Sequence, residues 1–316
     1  MPQPKVSVLV NNYNYGRFVG RALASAVAQH DSRTEIIVVD DGSDDESRDV
    51  LQAYGQRARI IYQSNHGQAG AINAGVRASR GEFICFLDAD DWWAPGKVSA
   101  IAAAFEADPR VLLVYHRLQP MLSDGTAVLK PLPQTLCSGD LSHRLVKSAG
   151  WWPFPLTSAI AVRRSAWEEA GEIPEMFRIS ADAWLVGIYP FLGRVAALPE
   201  SLGFYRIHAN HWHRAVDDAA MLRKRMTHWK ATVDATNHFL SSRKAPWRLR
   251  LADHFPYQVA SAQLCGVDPL TRLQLALQGL LFAGEPNPLR RMRDVFRSVF
   301  DVSAAGRSYS APVVPE

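Results

Sequence analysis

The sequence predicts an α/β fold, with a Rossmann-like, mostly parallel sheet, helices on both faces and a C-terminal helical region. Short β-branched runs alternate with segments of helical periodicity over about the first 115 residues. The predicted strands are apolar throughout, which is typical of parallel strands covered on both faces. From Asp217 onward the pattern is helical, with proline breaks at 246, 256, 269, 286 and 288. Together these observations favour one sheet-based domain followed by helices.

The elements of the predicted sheet follow one another in order. Strands are predicted at residues 5–10, 35–41, 59–64, 82–91 and 110–116, with a strand-like run at 157–164. Helices are predicted at 19–27, from a capping box to about residue 54, at 67–79 and at 98–105. The capping box would pair Ser43 with Glu46, which have the required spacing. We expect a domain at 1–215, with a first half to about 115 and a second half from 116, then helices at 216–305 and a flexible tail at 306–316.

Composition restricts the class of protein. The chain has 316 residues, of which 47% are hydrophobic and 21% charged, as in ordinary globular proteins. Its net charge is +4, and the part from Asp217 holds 14 basic against 9 acidic residues. We interpret that excess as a solvated helical surface, with an anionic membrane or a phosphate ligand as the alternative. There is no helix-borne comb of Lys and Arg and no aromatic RNA motif, so we expect no nucleic-acid partner.

The cysteines and the apolar runs indicate the cellular location that we expect. Cys85, Cys137 and Cys265 are scattered, which predicts neither a disulfide framework nor a zinc site and fits a reducing cytosol. The first apolar run stops at Asn11, too early for a signal peptide. The late apolar segment at 273–283 is shorter than the ~20 residues that span a bilayer. We expect a cytoplasmic protein that is soluble or peripheral at the inner face of the membrane.

Polar clusters follow three of the predicted strands. They are Asn-Asn-Tyr-Asn at 11–14, Asp-Asp-Gly-Ser at 40–43 and Asp-Ala-Asp-Asp at 88–91. Each of the first two alone is ordinary turn or cap chemistry. Ligands of parallel sheets bind beyond the carboxyl ends of the strands, where all three clusters would meet. The convergence therefore predicts a ligand site.

The third cluster has the chemistry of a cation site. An Asp-x-Asp pair leaving a buried strand directs carboxylates toward a hard divalent cation, which also neutralises a departing diphosphate. The alternative is a solvated loop in which Asp91 caps the next helix. No P-loop and no dinucleotide fingerprint occurs in the sequence, so neither an ATPase nor an NAD enzyme is supported.

Four motifs resemble glycosyltransferase family 2, which has the GT-A fold. They are "VSVLVNNYNYGRFVGRALASAVAQ", "EIIVVDDGSDDES", "GQAGAINAGVRASRGEFICFLDADD" and "LPESLGFYRIHANH", and the resemblance covers residues 5–211. It implies transfer of a sugar from a nucleotide diphosphate donor, a UDP-sugar above all, usually with inversion and with Mn²⁺ or Mg²⁺. The implied acceptor is a hydroxyl of a saccharide or lipid-linked molecule in cell-surface polysaccharide synthesis.

The resemblance also implies roles for individual residues. On the donor side, the resemblance implies that Tyr13 packs on the base, that Asn11 makes a neighbouring contact and that Asp41 accepts from the base N–H. It also implies a polar contact for Asn73. Asp88 and Asp90 would contact the sugar and the ribose. For Asn73, a structural role inside its helix is the alternative. The metal would bind Asp90 or Asp91, with His208 as third ligand or diphosphate contact. The alternative for His208 is a surface histidine beside His211 and His213.

The general base and the acceptor side depart from the family pattern. Asp182 stands where the resemblance places the base, but Ala181 replaces the Glu expected before it. The alternative for Asp182 is an acidic residue at a helix N-terminus, which the helix dipole favours. Asn11 stands where a Pro is usual. Either Trp151 or Trp152 is expected to stack on an acceptor sugar, and packing in the core is the alternative.

Two other functions remain open from the sequence. A sugar-1-phosphate nucleotidyltransferase would need a Gly-rich segment with Lys or Arg after the first strand, which "NNYNYGR" lacks. A non-catalytic sugar-nucleotide binder is the second alternative, to which Ala181 and Asn11 point. The segment from Pro286 also predicts an apolar helical face ringed by arginines, which either packs on its own domain or contacts a membrane.

Overall fold

A computed structural model describes residues 4–29, 33–208 and 218–300 of the chain; the side chain of Phe300 and the predicted tail at 306–316 lie outside it. The strands are β1 (Val6–Asn12), β2 (Thr34–Asp40), β3 (Arg59–Tyr62), β4 (Phe83–Asp88), β5 (Trp92–Trp93), β6 (Val111–Met121), β7 (Ile160–Arg163) and β8 (Arg194–Arg206). They form one sheet in the order β3-β2-β1-β4-β7-β6-β8-β5.

The helices lie between and after the strands. They are α1 (Gly16–Val27), α2 (Ser47–Gln52), α3 (Gly67–Ala78), α4 (Lys97–Ala107), α5 (Ser142–Lys147), α6 (Arg164–Ala170), α7 (Asp182–Leu192), α8 (Ala219–Ser242), α9 (Phe255–Cys265), α10 (Pro269–Leu280) and α11 (Pro288–Val295). Short 3-10 turns occupy Thr157–Ala159 and Leu251–Asp253, and a π-helical turn occupies Phe296–Phe300.

The predicted fold class is confirmed. Strands β3, β2, β1 and β4 are parallel, and β6 runs parallel to β8. Strand β7 is antiparallel between β4 and β6, and β5 is antiparallel to β8. The core under the first four strands is built from the predicted apolar runs, with Val8, Val38 and Cys85 almost completely buried. This rigid sheet fixes the positions of the residues that follow its strands.

The predicted capping box is wrong. Helix α2 begins at Ser47, and Glu46 makes no side-chain cap. The hydroxyl of Ser43 instead donates to Asp40 Oδ1 at 2.6 Å. Asp45 takes over the capping role, because its carboxylate accepts from the backbone N–H of Ser47 at 2.9 Å and from that of Gly16 at 2.8 Å. One carboxylate therefore holds the starts of α1 and α2 together.

The chain divides into two compact units. The first unit comprises Met1–Leu141 and Phe154–Ile207, and the second comprises Ser142–Pro153 and His208–Glu316. The second unit thus differs from the predicted helical region, since it takes in the stretch that carries α5, Trp151 and Trp152. Its core joins Phe255 and Val259 of α9, Leu275 of α10, and Phe282. Within the described residues, no helix combines the length and apolar character needed to cross a membrane.

Candidate active site at the carboxyl edge of the sheet

The three polar clusters meet at one edge of the sheet, as expected. Asn11 of β1 is in register with Asp88 of β4 on one side and with Val39 of β2 on the other, and Asn12 is in register with Asp40. Asn12 Nδ2 donates to Asp40 Oδ1 at 2.7 Å, which ties the ends of β1 and β2 together. The parallel pairing thereby brings residues distant in sequence into one site.

Asp88 is anchored through one oxygen. Its Oδ1 accepts from Asn11 Nδ2 and from Gln68 Nε2, both at 2.9 Å. Burial raises the pKa of this carboxyl to about 7, the charge of Asp90 adds to the rise, and the two amide hydrogen bonds oppose it. The other oxygen, Oδ2, receives no hydrogen bond from the described residues. Asp88 therefore presents one carboxylate oxygen to the site.

Asp91 is anchored through both oxygens. Its side chain is buried, Oδ2 accepts from Ser158 Oγ at 2.6 Å, and Oδ1 accepts from the backbone N–H of Arg206 at 2.9 Å. Burial and the charges of Asp90 and Asp88 raise its pKa well above the usual range. Asp91 thus fastens the 3-10 turn and the end of β8 beneath the site. It does not cap α4, whose N-cap is Gly96.

Asp182 opens helix α7 at the same edge. Burial raises the pKa of its carboxyl to about 6, while hydrogen bonds from the backbone amides of Ala183 and Thr157 act in the opposite direction. The charge of Asp182 also contributes to the raised pKa of Asp88, so the two carboxyl groups are close enough to interact. A carboxyl group with a pKa near 6 can exchange a proton near neutral pH.

Gln68 is a site residue that the sequence analysis did not single out. Its Nε2 donates to Asp88 Oδ1 at 2.9 Å and to Thr157 Oγ1 at 3.3 Å. Its Oε1 accepts from the backbone N–H of Ala181 at 2.9 Å, one residue before Asp182. One amide thus joins the Asp-x-Asp segment to the start of α7. Its position in the first turn of α3 was the available signal, because that turn also faces the carboxyl edge.

The residues predicted to bind the donor differ in exposure and in how many hydrogen bonds they make within the protein. Tyr13 is 47% exposed at the end of β1. Asp41 is buried, with Oδ1 accepting from Gln63 Nε2 and the His66 N–H, and Oδ2 from the Gly67 N–H. Asn73 is buried and exchanges two hydrogen bonds with the backbone of Ile173, at 2.9 and 3.0 Å. This pairing agrees with the structural role considered for Asn73.

A close approach explains one glycine of this region. Gly67 starts α3 with φ of +79°, and a Cβ there would lie 2.7 Å from Arg178 Cα. Its N–H reaches Asp41 Oδ2 at 2.7 Å. Only glycine meets both the backbone conformation and the contact.

The two tryptophans after the acidic cluster are core residues. Trp92 and Trp93 are buried and form β5 against β8. Trp93 Nε1 donates to the carbonyl of Ser158 at 2.9 Å. The guanidinium of Arg206 lies 4.7 Å from the Trp92 ring centroid, and its Nε donates to the Asp90 carbonyl at 2.8 Å. These contacts fix the backbone of the acidic cluster.

The residues present fit a hard divalent cation. Burial, with the charge of Asp90 adding to it, raises the pKa of Asp88, so a counter-charge would favour the ionised carboxylate. Asn11 Oδ1 is buried beside it and accepts no hydrogen bond from any residue that the structure describes, and Asp90 is only half-buried. Within 4–29, 33–208 and 218–300, no three His, Cys, Asp or Glu side chains form a metal site by themselves. A cation here would take its remaining oxygen ligands from a bound ligand or from water.

The other predicted residues lie in the second unit. His208 begins the second chain segment of that unit and is buried; His211 and His213 lie outside the described residues. The ring of Trp151 packs against Phe282, with centroids 5.3 Å apart, and Trp152 is fully buried. The metal contact of His208 and the acceptor contact of the tryptophans stay predictions.

Comparison with known proteins places this geometry in a family. The family model for glycosyl transferase family 2 matches residues 7–170, which include the whole acidic cluster. An uncharacterized glycosyltransferase of Nostoc sp. strain PCC 7120 is 36% identical over 242 residues, which are 75% of this chain and 74% of that protein.

Two solved structures share the fold. TarS residues 1–349 of S. aureus in complex with UDP-GlcNAc has a TM-score of 0.54 at 16% identity, covering 98% of this chain and 94% of that one. The mannosyltransferase PcManGT of Pyrobaculum calidifontis, in complex with GDP-Man and Mn²⁺, has a TM-score of 0.55 at 18% identity, covering 94% and 86%. The fold is that of GT-A glycosyltransferases, and the chain belongs to glycosyltransferase family 2.

Proposed function

We propose that this protein is a metal-dependent, inverting glycosyltransferase that moves a sugar from a UDP-sugar to an acceptor hydroxyl. The observation that carries the proposal is the meeting of Asp88, Asp90 and Asp182 at the carboxyl edge of the sheet, with the pKa of Asp88 raised to about 7 and that of Asp182 to about 6. Two carboxylates suit a divalent cation that faces a diphosphate, and a third suits proton transfer.

The donor is proposed to lie along the ends of β1 and β2. Tyr13 is exposed there and offers an aromatic face to a base. Asp41 follows β2, and its three internal hydrogen bonds hold the loop that starts α3. UDP is proposed as the nucleotide because the sequence resemblance implies a UDP-sugar donor, and the structural neighbour TarS binds UDP-GlcNAc. The neighbour that binds GDP-Man keeps guanine as a testable alternative.

Asp88 and Asp90 are proposed to hold the cation, Mn²⁺ or Mg²⁺. Both oxygens of Asp91 are occupied by Ser158 and Arg206, so Asp91 is assigned to supporting the site. The structural neighbour PcManGT carries Mn²⁺. When bound, such a cation neutralises the charge that develops on the departing diphosphate.

Asp182 is proposed as the general base. The acceptor oxygen forms a bond to the anomeric carbon from the side opposite the diphosphate, while the bond from that carbon to the diphosphate oxygen breaks with its electron pair. Asp182 takes the proton of the acceptor hydroxyl, and inversion follows from the single displacement. Because burial raises its pKa to about 6, the carboxylate is both ionised at neutral pH and basic enough to take part of the proton.

The acceptor is proposed to be a saccharide or lipid-linked molecule of cell-surface polysaccharide synthesis, a role that rests on the sequence resemblance. Only the hydroxyl is required by the chemistry above.

The deciding experiment separates binding from transfer. Thermal shift against a panel of nucleotide sugars, with and without Mn²⁺, should show metal-dependent stabilisation by UDP-sugars, because a ligand of the folded state stabilises it. Asp182→Asn should keep that stabilisation and lose transfer by at least a hundredfold, measured as UDP release. Asp124→Asn, in an exposed loop, is the matched control. Full transfer by Asp182→Asn would refute the base assignment, and absence of donor binding would refute the donor site.

A further inference from the structure

Helix α10 exposes leucines where a soluble helix usually exposes charges. Leu270, Leu273, Leu277, Leu280 and Leu281 are between 41% and 78% exposed. At about 100° per residue these five positions fall within roughly a third of the helix circumference, opposite the buried Leu275, Ala276 and Gly279. We call this set the leucine face. The sequence from Pro269 to Leu281 contains no Asp or Glu.

Helix α11 and the π-helical turn after it expose a second apolar row. Leu289 is 74% exposed, Met292 58% and Phe296 66%. The stretch from Pro288 to Phe300 carries four arginines, at 290, 291, 293 and 297, against the single acidic residue Asp294. Arg293 and Arg297 are exposed beside the apolar row. We call this set the arginine-flanked face.

Both helices are well fixed, so the exposure is not the result of a frayed end. Asp268 caps α10 by accepting from the N–H of Leu270 at 2.9 Å, and Asn287 caps α11 by accepting from that of Leu289 at 3.0 Å. They pack closely, since a Cβ at Gly279 would lie 2.4 Å from Val295 Cγ2. The buried sides face the core of the second unit and leave the leucine and arginine-flanked faces in solvent.

We propose that the leucine face and the arginine-flanked face dock on an anionic lipid membrane. A helix pair that presents leucine, methionine and phenylalanine with flanking arginines has the chemistry of a membrane-interface element: apolar side chains enter the acyl boundary and guanidinium groups meet anionic headgroups. Charge complementarity selects this occupant, because the exposed row is depleted of acidic residues and bordered by arginines. The proposal goes beyond the glycosyl transfer and does not depend on it.

Vesicle co-sedimentation of the full chain tests the proposal without a sugar donor. We expect pelleting with vesicles of phosphatidylcholine and phosphatidylglycerol at 7:3, and little with phosphatidylcholine alone. Leu277→Asn with Leu281→Asn should lower the partition coefficient by about tenfold or more, given the transfer free energy of a leucine side chain. Arg297→Gln should weaken binding severalfold at low salt, and raised salt should weaken binding of the wild type.

Matched controls keep the test decisive. Leu129 of the first unit is 59% exposed, so Leu129→Asn removes a comparable leucine and should leave sedimentation unchanged. Circular dichroism checks that each variant folds. Absence of pelleting with anionic vesicles would overturn the proposal, as would equal pelleting of the leucine variant or equal binding to neutral vesicles. A wild-type dimer that the leucine variant dissociates, with no vesicle binding, would assign the faces to a second copy of the chain instead.

Discussion

Replacing Asp88 by Asn should stabilise the ligand-free protein while abolishing transfer. Both internal hydrogen bonds of Asp88 enter Oδ1, from Asn11 Nδ2 and Gln68 Nε2. An asparagine carbonyl in that position accepts the same two bonds, so the substitution removes charge and leaves the packing intact. The ionised Asp88 is thus predicted to destabilise the ligand-free protein, and a bound cation is predicted to relieve this effect.

The size of the effect follows from the pKa of Asp88, which rises from 3.8 to about 7. One unit corresponds to about 1.4 kcal/mol, so full shielding from solvent would give about 4 kcal/mol. The side chain is only half-buried, and we therefore expect about 2 kcal/mol. Because the folded-state pKa is raised, Asp88 is protonated in the folded protein and costs no stability below about pH 4, and its contribution to stability is lost as the pH rises through about 7. The advantage of the variant should appear over the same range.

Thermal unfolding measured from pH 4 to pH 8 tests this reasoning. At pH 8 the melting temperature of Asp88→Asn should exceed that of the wild type by about 3–5 °C, and at pH 4 the two should agree. Mn²⁺ should raise the melting temperature of the wild type more than that of the variant. Asp124→Asn is the control, because hydrogen bonds from Thr126 lower the pKa of Asp124 and its loss should not stabilise. A variant no more stable than the wild type at pH 8 would refute the reasoning.

Three further predictions concern the site and the second unit. Gln68→Leu should reduce kcat tenfold or more and move the acid limb of the pH profile upward, because Asp88 loses a hydrogen bond that lowers its pKa; an unchanged profile would contradict the positioning role. Transfer by the wild type should rise with pH as Asp182 ionises, with a midpoint at or below about 6 because bound metal lowers that pKa, and a profile flat from pH 4 to 7 would count against this base. Gly279→Ala should destabilise the second unit by about 1–3 kcal/mol in chemical unfolding, since its Cβ would lie 2.5 Å from Phe255 Cζ.

The edge of the sheet could be predicted from the sequence because its causes are local. Apolar runs define β1, β2 and β4, parallel pairing aligns their carboxyl ends, and the polar residues after each strand must then meet. The role of Asp91 could not be predicted in this way. Its partners Ser158 and Arg206 lie 67 and 115 residues further along the chain, and only tertiary structure brings them to its two oxygens. The capping box failed for a local reason instead, since the Ser43 hydroxyl donates to Asp40, three residues earlier in the chain.

The acidic cluster is arranged so that neighbouring carboxylates have different tasks. Both carboxylate oxygens of Asp91 accept hydrogen bonds from the protein, which fixes the backbone of the cluster. Only one oxygen of Asp88 accepts hydrogen bonds from the described residues, and one of its donors is the Gln68 amide, which also holds the backbone before Asp182. A change in the charge on Asp88 therefore affects the hydrogen bond of Gln68, whose side chain also holds the start of α7. Binding of a cation at Asp88 and ionisation of Asp182 should favour each other, because neutralising Asp88 removes a charge that repels the second carboxylate. In the wild type, donor and metal should lower the pKa that governs transfer, whereas Asp88→Asn should make the pKa of Asp182 insensitive to metal; titration of Asp182 by NMR with and without Mg²⁺ measures both.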